Sequence, residues 1–202
     1  MSDLRVHAAG SLRACSGDLA LARAAIVGAR AGDSDHEAAR ARILAFVDSH
    51  PDALHRSCAE GHLTGSALVV DVASRAVLLL FHTKVQRWLQ PGGHADGDGH
   101  LAHVAVREAE EESGIVGLAV VTPAIDLDVH VFHHADGTEE DHLHLDVRHL
   151  VLAPPGAHPA ANHESQHIRW VQLDDLVGYD VDDGTHRMAR AGMEVLDALI
   201  RH

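Results

Sequence analysis

Apolar positions along residues 1–60 recur at helical spacing. Leu19, Leu21, Ala24, Ala25 and Ile26 lie in an alanine-rich run that predicts a helix ending near Gly32. Asp33 or Ser34 can cap a second helix, with His36 and Glu37 in its first turn. That helix carries Ala39, Ile43, Leu44 and Phe46 on one side and stops before Pro51. A short helix over Pro51–Cys58 is predicted next. Residues 1–60 therefore read as a helical extension, without a catalytic signature, packed on a main domain over 61–202.

From Thr64 the pattern changes. Ala67–Val70 and Ala76–Phe81 are apolar runs separated by Asp71–Arg75, which predicts two strands and a turn. The loop Gln90–Gly99 follows, rich in glycine. A helix is predicted from about His100 to Ser113, closed by Gly114 as the residue just past its end. Ile115–Val121, Leu127–Phe132, Leu143–Leu152 and Ile168–Leu173 read as strands. Asp174–Val177 reads as a helical turn and Thr185–Ile200 as a closing helix. Strands and helices mix without strict alternation, so the expected class is α/β, with a mixed sheet flanked by helices.

Composition sharpens this picture at three points. Aromatics make up 3% of the 202 residues, so the core must be built from Ala, Val, Leu and Ile. The formal net charge of −14 argues against a nucleic-acid polymer or an anionic membrane as partner. A small anionic substrate would need metal ions or local arginines against that field. Cys15 and Cys58 form no metal or redox pattern, no secretory signal is visible, and no stretch approaches the length of a membrane span; the expected setting is the cytoplasm. A homodimer stays open.

The chemistry concentrates in Gly93–Ile115, GHADGDGHLAHVAVREAEEESGI. Glu108, Glu111 and Glu112 fall at i, i+3 and i+4, on one face of the predicted helix. Carboxylates crowded in this way repel, and a divalent cation relieves the repulsion. Oxygen ligands at that density suit Mg²⁺ or Mn²⁺. Ala102, Val106 and Ala109 form an opposite, core-facing side. Arg107 can hold a carboxylate by a bidentate pair. Taken alone, the acidic run also fits a solvated helix face. A glycine loop, then a helix, then REAEEESGI is the combination that favours metal binding.

This segment resembles the Nudix box, G-x5-E-x7-R-E-U-x-E-E-x-G-U, where U is bulky and apolar. Gly93, Arg107, Glu108, Glu111, Glu112, Gly114 and Ile115 match, Ala109 is a small substitute, and Gly99 replaces the upstream Glu. Asp96 and Asp98 lie close to that departure. The resemblance implies a Nudix α/β/α sandwich and metal-dependent hydrolysis of a phosphoanhydride in a nucleoside diphosphate derivative or similar diphosphate. The alternative is a catalytically silent nucleotide-binding module on the same fold. It further implies Glu111, Glu112 and Arg107 as catalytic residues and Glu108, Glu111 and Glu112 as metal ligands. A general base would be one of these glutamates or a loop carboxylate such as Glu139, Glu140 or Glu164. Gly92, Gly93, Arg87 and Arg148 are candidate substrate contacts. Trp88 could stack on a base or serve as plain core.

Histidine is unusually frequent, with 20 residues, and most would be expected on a solvated surface. His142 and His144 alternate on a predicted strand and share a face with Asp146. His94 follows the paired glycines, and His62 precedes the first strand. These places are similar to the metal-ligand positions of the isopentenyl-diphosphate isomerase family. The likeness implies a second, nitrogen-rich transition-metal site at His62, His94, His142 and His144. The other reading makes them polar residues lining a substrate cleft. The isomerase reaction itself does not carry over, because Gly92 stands where that family has its catalytic cysteine, and Cys15 and Cys58 lie outside the region.

Overall fold

The computed structural model describes residues 4–12, 15–83, 86–133, 140–160 and 165–201. Their elements in chain order are β1 (Arg5–Ala8), α1 (Leu19–Gly28), α2 (Ser34–Ser49), β2 (Gly61–Asp71), β3 (Ala76–His82), β4 (Arg87–Leu89), β5 (Gly92–His94), α3 (Leu101–Ser113), β6 (Ala119–Thr122), β7 (Asp126–Phe132), β8 (His142–Ala153), β9 (Ser165–Val171) and α4 (Asp183–Ile200). Helix ends follow from capping chemistry. Asp18 accepts the Ala20 N–H at 2.9 Å, and Asp33, rather than Ser34, accepts the His36 N–H at 3.0 Å. Gly114 closes α3 with a left-handed φ of 67°, a conformation that only glycine adopts without strain.

The strands form one mixed sheet in the order β1-β6-β8-β2-β3-β4, with β5 on β2, β7 on β8 and β9 on β3. Its centre is the parallel pair β2 and β8, in register from Gly61 opposite Leu143 to Asp71 opposite Ala153. The other pairs are antiparallel. Strand alternation then sorts side chains into two layers. Ala67, Val69 and Val151 face Ala105, Val106 and Ala109 of α3. Leu68, Val70 and Leu150 lie against Met188, Ala189 and Met193 of α4. The result is the expected α/β/α sandwich on a mixed sheet.

Residues 1–60 are not wholly helical. Val6 and its neighbours in β1 pair with β6, Arg5 opposite Thr122, because the sheet edge supplies backbone partners that a four-residue run could not find in a helix. Pro51–Cys58 is a chain of turns rather than a helix, held by bonds such as His55 N–H to the Asp52 carbonyl at 2.8 Å. Ile26, Ile43 and Val47 of α1 and α2 share a core with Leu63, Leu127, Leu145 and Val147. A buried hydrogen bond joins His36 Nδ1 to Asp126 at 3.2 Å, while His36 Nε2 accepts from Arg40 at 3.0 Å.

Candidate active site and metal centre

One face of the sheet changes character partway along. Beyond Leu68 and Leu150, which α4 covers, the same alternating positions carry Ser66, Thr64 and His62 on β2 and Arg148, Asp146, His144 and His142 on β8. These residues line a cleft of about 1140 Å³, which also takes in Gly92, Gly93, His94, Glu108, Glu111 and Glu112. The carboxylate triad and the four histidines therefore open into one cavity.

α3 presents the triad with graded exposure: Glu111 is exposed, Glu108 half-buried and Glu112 buried. Glu112 accepts the Gly92 N–H at 2.9 Å, which ties the glycine loop to the helix. At Gly93 an added Cβ would collide with the Glu108 carboxylate, so the glycine is what lets that carboxylate approach the loop. Arg107 donates one nitrogen to Glu108 at 2.5 Å and to the His94 carbonyl at 3.1 Å. That contact is a bridge from helix to loop, not the bidentate pair expected. Burial pushes the Glu108 carboxyl up, and the charge on Glu111 adds to it. A divalent cation would remove that penalty, and the oxygen donor set fits Mg²⁺ or Mn²⁺.

His62 and His144 stand opposite each other on β2 and β8, and His94 enters from β5 opposite Thr64. One ligand atom from each of His62, His94, His142 and His144 lies within 4.8 Å of all the others. Burial drives the His62, His94 and His144 imidazoles toward their neutral forms. His94 is lowered to about 4, with the Arg56 charge adding to burial, and His144 is lowered to about 2, with His94 and His130 adding to it. These residues are not the solvated surface expected of most histidines. His36 and His149 are buried as well.

Two substrate candidates are engaged by aspartates. Arg148 lies at the cleft wall but is 1% exposed, and its guanidinium is taken up by Asp146 at 2.8 Å, Asp126 at 3.1 Å and Asp128 at 3.1 Å. Arg187 joins the same network through Asp126 and Asp128. Arg148 thus balances buried carboxylates, each of its three nitrogens paired with one aspartate. Arg87 is not among the residues that line the cleft and lies 3.4 Å from Asp180. Trp88 packs edge-on against Phe81 and Tyr179, as core. Gly92 stays at the cleft with its N–H committed to Glu112. Of the loop carboxylates, Glu140 lines the cleft; Glu139 and Glu164 lie outside the described residues.

Several cleft residues escaped the sequence reading. Thr64 and Ser66 both donate to Asp146 at 2.9 Å. Their signal was available: His62, Thr64 and Ser66 are polar at period two inside an apolar strand. Arg56 holds Asp96 through two bonds of 2.7 Å, and both line the cleft. Cys58, distant in sequence from the glycine loop, also reaches the cleft, its thiol pushed up by burial. Asp98, beside the Gly99 departure, is occupied elsewhere: it accepts from Ser16 N–H, His100 N–H and His103.

Comparison with known proteins gives a consistent answer. The sequence profile described as NUDIX domain matches residues 62–192. Curated proteins give no match. Among solved structures, a C. elegans Ap4A hydrolase in a binary complex superposes with a TM-score of 0.51 and 18% identity, covering 67% of this chain and 98% of its own. The E. coli dihydroneopterin triphosphate pyrophosphohydrolase does so with a TM-score of 0.51 and 12% identity, covering 63% of this chain and 92% of its own. At these identities the structural likeness is one of fold.

Proposed function

The chain belongs to the NUDIX family of hydrolases acting on diphosphate bonds, and from that premise we propose that its cleft cleaves the phosphoanhydride of a nucleoside diphosphate derivative or a similar small diphosphate. The observation that carries this reading is the set Glu108, Glu111 and Glu112, gathered on one turn of α3 and opening, with the glycine loop, into a cleft of about 1140 Å³. Glu108, Glu111 and Glu112 would hold Mg²⁺ or Mn²⁺. Bound there, such an ion offsets charge on the diphosphate and lowers the pKa of an attacking water.

The protein's own groups do the positioning. Glu112 fixes the loop through the Gly92 N–H, and Arg107 fixes Glu108 against the His94 carbonyl. Glu111, the most exposed of the triad, and Glu140 at the cleft wall are the described carboxylates placed to take a proton from water. Asp96, beside the same cleft, is held charged by its bonds to Arg56. The setting we assign is the cytoplasm, in keeping with two free cysteines.

The test is a phosphate-release screen over nucleotide sugars, dinucleotides, nucleoside triphosphates and prenyl diphosphates, with Mg²⁺ and Mn²⁺. Turnover is expected with at least one class, and Glu111→Gln and Glu112→Gln should each lower kcat by about 10²-fold or more. Nucleotide binding without turnover would replace this reading with the silent binding module.

A further inference from the structure

We propose that His62, His94, His142 and His144 form an all-imidazole site for one transition-metal ion, separate from the carboxylate site in the same cleft. It stands beside the hydrolase reading and does not depend on turnover.

Three observations carry it. The first is unmet polar demand. Nε2 of His142 and Nε2 of His144 are buried with no hydrogen-bond partner, and the two buried ring nitrogens of His62 make no hydrogen bond of good geometry. Each such atom is costly to leave unpaired in the interior, and clustering several of them in one place needs a cause. The second is a fixed tautomer. His142 Nδ1 lies 2.9 Å from the Glu140 carbonyl, an oxygen that can only accept, so Nδ1 carries the proton. The His142 Nε2 lone pair is then turned inward, which is the arrangement found for histidines that ligate metals. Phe132 stacks on His144 with centroids 4.7 Å apart and planes 10° from parallel, holding that ring as well.

The third is geometry. Ligand atoms within 4.8 Å of one another need only a small inward rotation to reach the spacing of about 3.4 Å that tetrahedral metal–nitrogen bonds of about 2.0–2.1 Å require. Rigid pairing of β2 with β8 and of β2 with β5 sets three of the four Cα positions in advance. The donor set also selects its ion. Neutral imidazole favours Zn²⁺, Co²⁺, Ni²⁺ or Cu²⁺ over Mg²⁺, and no carboxylate in the set cancels the charge. A loaded site would therefore place a full dication on the cleft wall of a chain of formal charge −14, where an anionic substrate needs one.

Co²⁺ is a suitable probe because its visible absorption reports coordination. Full-length protein carrying no affinity tag is stripped with chelator and titrated with Co²⁺ in millimolar Mg²⁺. One equivalent should bind and show a visible band. His62→Asn and His144→Asn should weaken that binding at least tenfold, while Glu111→Gln keeps it. Absence of the band, or its loss in Glu111→Gln with retention in both histidine variants, would overturn the proposal. X-ray absorption on the Zn²⁺-loaded wild type covers the case of a variant that fails to fold. A shell of nitrogen at about 2.0 Å with imidazole scattering supports the site, and an oxygen-dominated shell refutes it.

Discussion

At position 99 any side chain would run into the carbonyl of Asp18. The Gly99 N–H donates to the Ser16 carbonyl at 2.7 Å, so backbone from the N-terminal segment fills the place where the family pattern has a glutamate. Gly99→Glu should therefore undock residues 16–18 and cost about 1–3 kcal/mol, read as a lower urea midpoint. An unchanged midpoint would show that this contact contributes nothing. His149 offers a second residue-scale test. It is fully buried, and its pKa is lowered to about 4 by burial. Below its ordinary value of about 6.5 the unfolded chain binds a proton that the folded chain refuses, so stability is complete above that pH and falls as pH drops toward 4. His149→Leu should flatten that part of the acid limb in urea titrations from pH 7 to pH 4; an identical limb would exclude His149 as a cause. Residue chemistry was partly legible in advance. Glu108, Glu111 and Glu112 announce themselves by helical spacing, whereas the pairing of Arg148 with Asp126 and Asp128 depends on strand register between β7 and β8, which no local pattern encodes.

Among elements, those with their own start and stop signals were readable. α2 begins at its Asp33 cap, and α3 ends at Gly114, because both signals are local. β8 was readable through its length and alternation. β1 and β5 were not, since a run of four or three residues becomes a strand only when a neighbour supplies hydrogen bonds. β6 begins at Ala119, later than its apolar run, because Gly117 takes a left-handed φ of 83° and interrupts the strand. α1 and α2 bury Ile26, Ile43 and Val47 against Leu127 and Val147 of the sheet. Removing residues 1–60 should strip that cover, and the product should aggregate or unfold at markedly lower urea. Size-exclusion chromatography and urea titration check this; a monomer with the full-length midpoint would show that the helices are dispensable.

For the whole molecule, the decisive event is a division of labour across one sheet face. α4 roofs its apolar half, and the uncovered half holds histidines, aspartates and hydroxyls beside the α3 carboxylates. That division could be suspected from His142, His144 and Asp146 sharing a face. The convergence of His62 and His94 on them was implied only by the family likeness and by no local pattern, because it requires two distant strands to align beside β2.

The parallel pairing of β2 and β8 brings His62 level with His144 across 82 positions of chain, counted between their residue numbers. Such a pairing closes a long loop and so forms late, after the local helices. An ion held by both strands would then arrive as a clasp on a finished structure and would not seed its assembly. Metal would slow the opening of the protein far more than it hastens its making.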